Sequence, residues 1–411
     1  MIGADERCGI VTRIGHGRSH GVLHTATADL AATDAYALPL GNSVVGGTSW
    51  HSPDRAARRA LGEAVERYAG HLVDPARLRW ATAEELGEQA LDLGALALYR
   101  GDQHARRGFP FRGLRPGTEL AWVEGRTSDG RASWVPASLV WLAPGRHAEE
   151  RTGAGRATPH LPVAAGIAAG DSPGRARAAA LAEVVERHAL ATAWYSGDRF
   201  PELPPQPVPL PHGAELTWRA VPNLLAAPVV ACIARSGDRI TLGCALVPDA
   251  ADPVAAAGRK AAAEALVSLD ALDAVIEGMP DWSAVLKPVR ADRRYADSYR
   301  PDLADATDLV CTLQLLADPR VARSVAARLA GGAPRGAWRP EPLALGPRLR
   351  EHGLAPVTVD LTPPGLAASG WSVARVLVPG LRSVGPAAFP YLGDGAEALP
   401  REPERLPLPH V

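Results

Sequence analysis

The chain has 411 residues, more than one hydrophobic core usually accommodates, so we expect several subregions. Its formal net charge of -1 gives no electrostatic reason to expect nucleic acid or an anionic membrane as a partner. No window holds about 18 consecutive apolar residues and no apolar signal segment begins the chain, so we expect a cytoplasmic protein.

A helix is predicted from about residue 53 to 70. Ser52–Pro53 has the sequence of a helix start, because serine caps the first turn and proline has no N–H to leave unpaired. The helix carries Glu63, Glu66 and Arg67, so two carboxylates lie one turn apart beside a cation.

The next hundred residues are predicted to contain one helix and one hairpin. Residues 82–100 form the helix, and an Arg- and Gly-rich loop follows at 101–117. Leu120–Arg126 and Ala132–Leu142 alternate apolar and polar positions around a Ser-Asp-Gly turn, which predicts a β-hairpin. Residues 143–160 are charged and glycine-rich, and we expect a flexible loop there.

A second copy of the first helix follows. Residues 60–69 and 180–189 share the pattern Ala-Leu-x-Glu-x-x-Glu-Arg, and a Ser-Pro pair precedes each at the same offset. The second helix carries Glu183, Glu186 and Arg187 and is predicted to run to about residue 194.

A third motif helix is predicted after a proline-dense linker and another hairpin. The linker, Pro201–Pro211, is too rich in proline for a helix or a central strand. Val229–Ala234 and Ile240–Val247 are predicted to pair as a hairpin. An Asp-Pro pair then begins a helix that places Lys260 and Glu264 on one face, which makes it a half-match to the repeat.

The C-terminal part is predicted to be mostly strands. Apolar stretches at Asp308–Leu316, Val357–Leu361 and Val373–Val378 are interpreted as strands, with a helix near 320–330. The proline-rich tail, Pro400–Pro409, is either an extended segment inserted into a cleft or a disordered end.

If the three helices pack face to face, their carboxylates converge. Carboxylates cannot share a buried pocket without cations to offset their repulsion. Oxygen ligands select Mg²⁺, which usually completes its coordination with water and phosphate oxygens, so a nucleoside triphosphate is expected with it. The alternative is a solvated face with intrahelical ion pairs, and the pattern leaves both open. The acids are Glu63, Glu66, Glu183, Glu186 and Glu264, and the cations expected near phosphates are Arg67, Arg187 and Lys260.

In order and spacing these motifs resemble the YcaO superfamily over nearly the whole chain. The motifs are the two Ala-Leu-x-Glu-x-x-Glu-Arg units, Gly-Ile-Ala-Ala-Gly before the second, Lys-Ala-Ala-Ala-Glu in the third helix, and Val-Pro-Gly-Leu at 378–381. The resemblance implies an α+β, YcaO-like fold of pseudo-repeated helix and β-hairpin units around a central acidic nucleotide site. It implies one domain, 1–411, with subregions 1–160, 161–280 and 281–411.

The resemblance also implies the chemistry. Members bind ATP and Mg²⁺ through these five glutamates and phosphorylate a backbone amide oxygen of a ribosomally made precursor peptide. If the nucleophile is a Cys, Ser or Thr side chain, the product is an azoline. A sulfide source gives a thioamide, and an amine gives an amidine. By this likeness the chain is an ATP-dependent cyclodehydratase that forms a thiazoline, an oxazoline or a macrocyclic amidine. The residues expected to be catalytic are Glu63, Glu183 and Glu186.

Several residues differ from the usual family pattern at positions near the nucleotide. They leave a second function open, a catalytically degenerate homologue that binds peptide or acts as a scaffold for an active enzyme. These residues are Arg59, Ala165, His188, Val267 and Leu269.

The chain begins directly in this domain, so we expect peptide recognition to be intrinsic or supplied by a leader-peptide-binding or activating partner protein. Family members are often dimers, so the resemblance leaves a homodimer open.

Overall fold

The computed structural model describes residues 5, 9–31, 43–142, 159–278, 284–333 and 338–410. These residues form a mixed helix and sheet structure. The strands are β1 Val11–Ser19, β2 Leu23–Leu30, β3 Val44–Ser49, β4 Arg79–Ala81, β5 Leu120–Thr127, β6 Ala132–Pro136, β7 Ile167–Gly170, β8 Glu202–Leu203, β9 Glu215–Ala220, β10 Val230–Ser236, β11 Arg239–Ala245, β12 Val357–Asp360 and β13 Ser372–Leu377. The helices are α1 Pro53–His71, α2 Ala83–Leu86, α3 Gly101–His104, α4 Ala137–Val140, α5 Pro173–Tyr195, α6 Pro253–Glu277, α7 Val310–Leu316, α8 Pro319–Leu329, α9 Leu345–Glu351 and α10 Pro364–Ala368.

The strands form three antiparallel sheets. One has the order β1-β2-β3 and another the order β11-β10-β9-β8. The largest has the order β4-β5-β12-β13-β7, with β6 paired to β5. Strands far apart in sequence therefore meet, because β7 pairs with β13 through Ala168 and Ala374.

The three motif helices begin as their sequences predict. Ser52 accepts a hydrogen bond from the backbone N–H of Arg55 at 3.3 Å. Ser172 likewise accepts a hydrogen bond from the backbone N–H of Arg175. Asp252 caps α6 in the same way. Each helix has proline in its first turn, where a missing N–H leaves no bond unmade. The predicted helices and their repeated entry are confirmed.

Each motif helix lies against the strand that precedes it, and a glycine allows the close approach. A Cβ at Gly47 in β3 would collide with the backbone of Ala60 in α1, and one at Gly243 in β11 would collide with Ala261 in α6. Gly170 in β7 approaches α5 in the same manner. These contacts set the distance between each helix and its sheet.

Two segments differ most from the sequence-based prediction. Residues 82–100 are not one helix: α2 ends at Gly87, whose φ of 57° is left-handed, and short 3-10 turns follow. The stretch predicted as a strand at Asp308–Leu316 is instead α7. All seven residues of α7, including Thr312 and Gln314, are buried, so no exposed polar face distinguishes this helix from a buried strand.

The other predictions for the chain are largely confirmed. The hairpins are β5–β6 and β10–β11, although the strand predicted over Ala132–Leu142 ends at Pro136 and the chain continues as the short helix α4. The predicted C-terminal strands and helix are β12, β13 and α8. The proline-dense linker contributes only the short edge strand β8. Most of the expected loop at 143–160 lies outside the described residues.

The tail is packed into the structure. Residues 407–410 are buried, and Leu408 belongs to the hydrophobic core that also contains Trp194 of α5. The Trp194 indole N–H donates to the carbonyl oxygen of Leu406 at 3.0 Å. None of the described helices is long and apolar enough to span a membrane.

Candidate functional site

The first motif helix directs its charged residues towards the strand that leads into the second. Glu63 and Arg67 form an ion pair at 2.7 Å, with side chains 33% and 24% exposed. Glu66 Oε1 accepts a hydrogen bond from the backbone N–H of Ala169 in β7 at 2.8 Å. The Glu66 carboxylate of α1 is therefore held by β7, the strand that precedes α5.

The second motif helix repeats this arrangement. Glu183 Oε2 accepts a hydrogen bond from the backbone N–H of Gly166 at 2.9 Å, just before β7. Arg187 lies between the two acids of its own helix, 3.5 Å from Glu183 and 3.4 Å from Glu186.

The third motif helix contacts a carboxylate of the second through Lys260. The Glu186 side chain is 1% exposed, and its Oε2 accepts hydrogen bonds from the Leu246 backbone N–H at 2.9 Å and from Lys260 at 3.2 Å. Lys260 also lies 3.7 Å from Glu264, whose Oε2 accepts a hydrogen bond from the Cys244 backbone N–H at 3.3 Å. Strand β11 thus supports a carboxylate from α6, and Leu246, directly after the strand, supports one from α5.

The predicted residues of all three helices form one electrostatic group. Burial raises the pKa of the Glu66 carboxyl, and the nearby charges of Glu63 and Glu183 raise it further. Burial also raises the pKa of Glu264 to about 7, against the opposing effect of Lys260. Both shifts show carboxylates crowded where water compensates little for their charge. The acids of the two copies therefore do not lie on separate solvated faces.

Arg187 lies at the centre of this group. Burial disfavours its charged form, but Glu186, Glu183 and Glu264 outweigh that effect and raise the pKa of its guanidinium. Arg187 thus interacts with the charges of carboxylates from two helices. We call eight charged residues of the three motif helices the acidic cluster. They are Glu63, Glu66, Arg67, Glu183, Glu186, Arg187, Lys260 and Glu264.

The acidic cluster has donors suited to a hard cation. Five carboxylates outnumber three cations, and the buried Glu186 Oε1 has no hydrogen-bond partner among the described residues. Oxygen ligands and excess negative charge fit Mg²⁺. No three His, Cys, Asp or Glu side chains of the described chain are already arranged around a common metal position, however. The acids instead contact their own cations and backbone N–H groups, an arrangement compatible with Mg²⁺ that takes most of its ligands from phosphate and water.

Two residues near the acidic cluster were not predicted from sequence. Arg375 of β13 donates through Nη1 to the carbonyl oxygens of Val163 and Ala165 at 2.9 and 2.8 Å, and the Glu183 charge raises its pKa against the larger lowering effect of burial. His410 in the tail is buried, and its pKa is lowered well below the usual value, first by burial and then by the Arg187 charge. Neither belongs to a local motif, although the Val-Pro-Gly-Leu segment begins three residues after Arg375.

The residues that differ from the usual pattern make structural contacts. Arg59 donates to the Thr48 carbonyl oxygen at 2.8 Å. His188 bonds to Glu397 through Nε2 at 2.9 Å and accepts the Arg382 backbone N–H through Nδ1 at 3.1 Å. Leu269 is buried in the core under α6, and Val267 packs against the same core.

The fold and the site define a mixed α and β protein in which three equivalent helices bring acidic and basic side chains together. A family model described as YcaO cyclodehydratase, ATP- and Mg²⁺-binding, matches residues 50–382. The chain belongs to this family, which confirms the resemblance, the fold class and the expectation of ATP and Mg²⁺ as cofactors.

Solved structures show the same fold at low sequence identity. The chain superposes on a heterocyclase in complex with substrate and cofactor with a TM-score of 0.65 and 18% sequence identity. The match covers 92% of this chain but only 50% of the heterocyclase chain. YcaO from Methanopyrus kandleri bound with AMPPCP and Mg²⁺ has a TM-score of 0.58 and 17% identity, covering 90% and 86% of the two chains.

A chain of the E. coli microcin synthetase McbBCD complex with pro-MccB17 bound has a TM-score of 0.66 at 10% identity, with 99% and 98% of the two chains covered. No curated protein matches this chain in sequence.

Proposed function

We propose that this chain uses ATP and Mg²⁺ to activate a backbone amide in a ribosomally synthesised precursor peptide, leading to cyclodehydration. The product is a thiazoline, an oxazoline or a macrocyclic amidine. The observation that carries the proposal is the convergence of five carboxylates and three cations from α1, α5 and α6 on the residues around Arg187.

In this proposal the cations of the acidic cluster bind phosphate and its carboxylates bind Mg²⁺. Arg67, Arg187 and Lys260 face the phosphates, because each is a cation paired with the carboxylates and is partly exposed. Bound Mg²⁺ neutralises the charge of the phosphate oxygens. The carboxylates that hold it and orient the transfer are Glu63, Glu66, Glu183, Glu186 and Glu264, with Glu63, Glu183 and Glu186 proposed as catalytic.

The reaction follows from the poor leaving ability of an amide oxygen. The amide oxygen attacks the γ-phosphorus, the bond to the β-phosphate oxygen breaks, and ADP leaves. The nucleophile of the peptide then adds to the amide carbon and loses its proton. The amide nitrogen then forms a C=N bond and loses its proton as the bond from that carbon to the phosphorylated oxygen breaks, and inorganic phosphate leaves with the oxygen.

Peptide recognition is proposed to involve a partner protein. The similar heterocyclase is twice as long as the part this chain matches, and the microcin synthetase is a complex of several proteins. A separate leader-peptide-binding or activating chain is therefore the first candidate to add to an assay.

The test is peptide-dependent phosphate release. Wild-type protein is mixed with Mg²⁺, ATP and a precursor peptide encoded beside its gene, with and without neighbouring gene products. We expect release in wild type and a loss of at least about a hundredfold in Glu183→Gln, the scale seen when one charge-stabilising group is removed from an active site. Glu88→Gln, at an exposed position, is the matched control and should keep wild-type release.

The second candidate function is a peptide-binding or scaffolding role without turnover. It is favoured by the internal ion pairs of the acids, since Lys260 and Arg187 both contact Glu186. A scaffold would bind the peptide with similar affinity in wild type and Glu183→Gln and release no phosphate in either. Absence of release from wild type with every neighbouring peptide and protein would exclude the enzymatic function.

A further inference from the structure

A cavity of about 80 Å³ lies beside the acidic cluster. Its lining includes Ala165 and Val184, the immediate neighbours of the two residues joined by the Gly166 to Glu183 hydrogen bond. The cavity and the acidic cluster therefore share a wall. A space of this size holds several water molecules or one small organic group.

The lining of this cavity is positively charged. Arg375 and Arg382 both line it, and they are 4% and 2% exposed. No aspartate or glutamate is among the described residues that line it, and most of the remaining wall is aliphatic. The charges of Glu397 and Asp394 act on Arg382, whereas no described carboxylate forms an ion pair with Arg375. A buried cation without an adjacent anion is costly, so the Arg375 side of the cavity favours a negatively charged occupant.

Three polar atoms at the cavity have no partner among the described residues. They are Nε of Arg375, Nε of Arg382 and the Ser383 hydroxyl oxygen. Arg375 is occupied on its Nη1 side by backbone carbonyl oxygens, and no described carboxylate lies within ion-pair distance of it. Burial lowers the pKa of Arg375 to about 10, although the more distant Glu183 charge opposes this.

The other polar lining groups already have partners. His160 Nδ1 donates to the carbonyl oxygen of Leu161 at 2.9 Å, and its Nε2 accepts from Ser138 at 3.2 Å. The Tyr391 hydroxyl also donates to the Leu161 carbonyl oxygen, at 2.7 Å.

Arg382 donates through Nη1 to the Thr192 hydroxyl at 2.8 Å. Its Nη2 donates to the carbonyl oxygens of Gly393 and Glu397 at 3.3 and 2.7 Å, which leaves only its Nε. A ligand in the cavity therefore meets Arg375, the Nε of Arg382 and Ser383.

We propose that this cavity binds a carboxylate on a short aliphatic stem, held by Arg375 with Arg382 and Ser383. A guanidinium and a hydroxyl match the two acceptor oxygens of a carboxylate, and the apolar wall accommodates the stem. The inference rests on the proposed function in one respect: the carboxylate belongs to the peptide whose amide is activated across the shared wall. It is either an acidic side chain or a terminal carboxylate.

The first experiment compares sodium propionate with propionamide. The two probes have the same shape and differ in charge, so their affinities for wild-type protein, measured by ligand-observed NMR titration at pH 7, isolate the effect of the anion. We expect propionate to bind at least about tenfold more tightly, since charge-assisted hydrogen bonds are about twice as strong as neutral ones. Equal affinities, or no binding of propionate, would overturn the proposal.

Variants then locate the binding. Arg375→Met should weaken propionate binding at least about tenfold, whereas Arg300→Met, at a surface arginine paired with Asp302, should leave it unchanged. Because Arg375 also orders the loop before β7, a second variant is needed. Leu381→Trp fills the cavity without removing an arginine, and unchanged propionate affinity in it would place binding elsewhere.

Two capped amino acids separate the sources of the carboxylate. N-acetylalanine presents a terminal carboxylate, and N-acetylaspartate N-methylamide presents only a side-chain one. Tighter binding of either than of propionate supports the peptide assignment, and failure of both to bind contradicts it. A titration of AMPPCP with Mg²⁺ on the same samples tests the proposed function by itself: nucleotide binding without propionate binding removes only the cavity proposal, and the reverse removes only the nucleotide site.

Discussion

Glu66 Oε1 accepts a hydrogen bond from the backbone N–H of Ala169 at 2.8 Å, across 103 residues of chain. The first motif helix is thereby joined to the strand that enters the second. Glu186 makes the equivalent contact to Leu246, just after the strand that precedes the third. Each of the first two helices thus places one carboxylate on the next strand–helix unit, and the acidic cluster forms where these contacts meet.

The Glu66 contact predicts a difference between two substitutions. Glu66→Gln keeps an acceptor for the Ala169 N–H and should change the free energy of unfolding by less than about 1 kcal/mol. Glu66→Ala leaves that N–H without a partner and should cost about 1–3 kcal/mol. Urea denaturation at pH 7 measures both, and equal losses in the two variants would contradict the structural role of the hydrogen bond.

Adjacent glycines of β3 predict opposite effects. Gly47→Ala introduces a Cβ that collides with α1, and should destabilise the protein by about 1–3 kcal/mol through overpacking. Gly46→Ala meets no atom within 4 Å and should stabilise it by about 0.5 kcal/mol, because alanine has less freedom in the unfolded chain. Thermal denaturation compares the two, and destabilisation of similar size in both would show that the strand–helix approach is not the cause.

His160 predicts an acid-sensitive stability. Burial lowers the pKa of His160 from 6.5 to about 4, so between these values the unfolded state binds a proton that the folded state does not. Stability should therefore fall as the pH falls through this window, by at most about 3 kcal/mol from this residue.

His160→Gln should flatten the pH dependence of the free energy of unfolding between pH 6.5 and 4. His352→Gln, at an exposed position, serves as the control and should not change it. A wild-type slope that persists in His160→Gln would assign the acid sensitivity to other groups.

The packed tail predicts protection of an exposed trypsin site. Arg405 is exposed but lies between segments held to α5, and Leu408 is only 4% exposed. Leu408→Asp places a charge in the core and should release the tail, so cleavage after Arg405 should accelerate at least about tenfold.

Mass spectrometry of short trypsin digests measures this cleavage. Leu210→Asp, where the leucine is 87% exposed, makes the same chemical change outside the core and should leave the cleavage rate unchanged. Rapid cleavage in wild type would mean that the tail is not held in the core.

The sequence predicted the motif helices because their signals are local. Ser52 and Ser172, each followed by proline, fix a helix start within four residues, and the repeated glutamates follow at the same offset. The same local reasoning was wrong for residues 82–100, where Gly87 ends the helix, and for α7, whose residues are all buried and leave no exposed face to mark a helical period. Arg375 had no local signal because its partners lie more than 200 residues away in the chain.

By itself, therefore, the sequence determined which helices form, where they begin, and which face of each carries charge, since these depend on neighbours within one or two turns. Only the tertiary structure decided that the glutamates converge. Convergence depends on the backbone N–H groups of Ala169 in β7 and of Leu246, directly after β11, which donate to carboxylates of α1 and α5. It also depends on Arg187 lying among acids from two helices. A repeated motif is compatible with a solvated face until the packing of its sheets places both copies around the same charges.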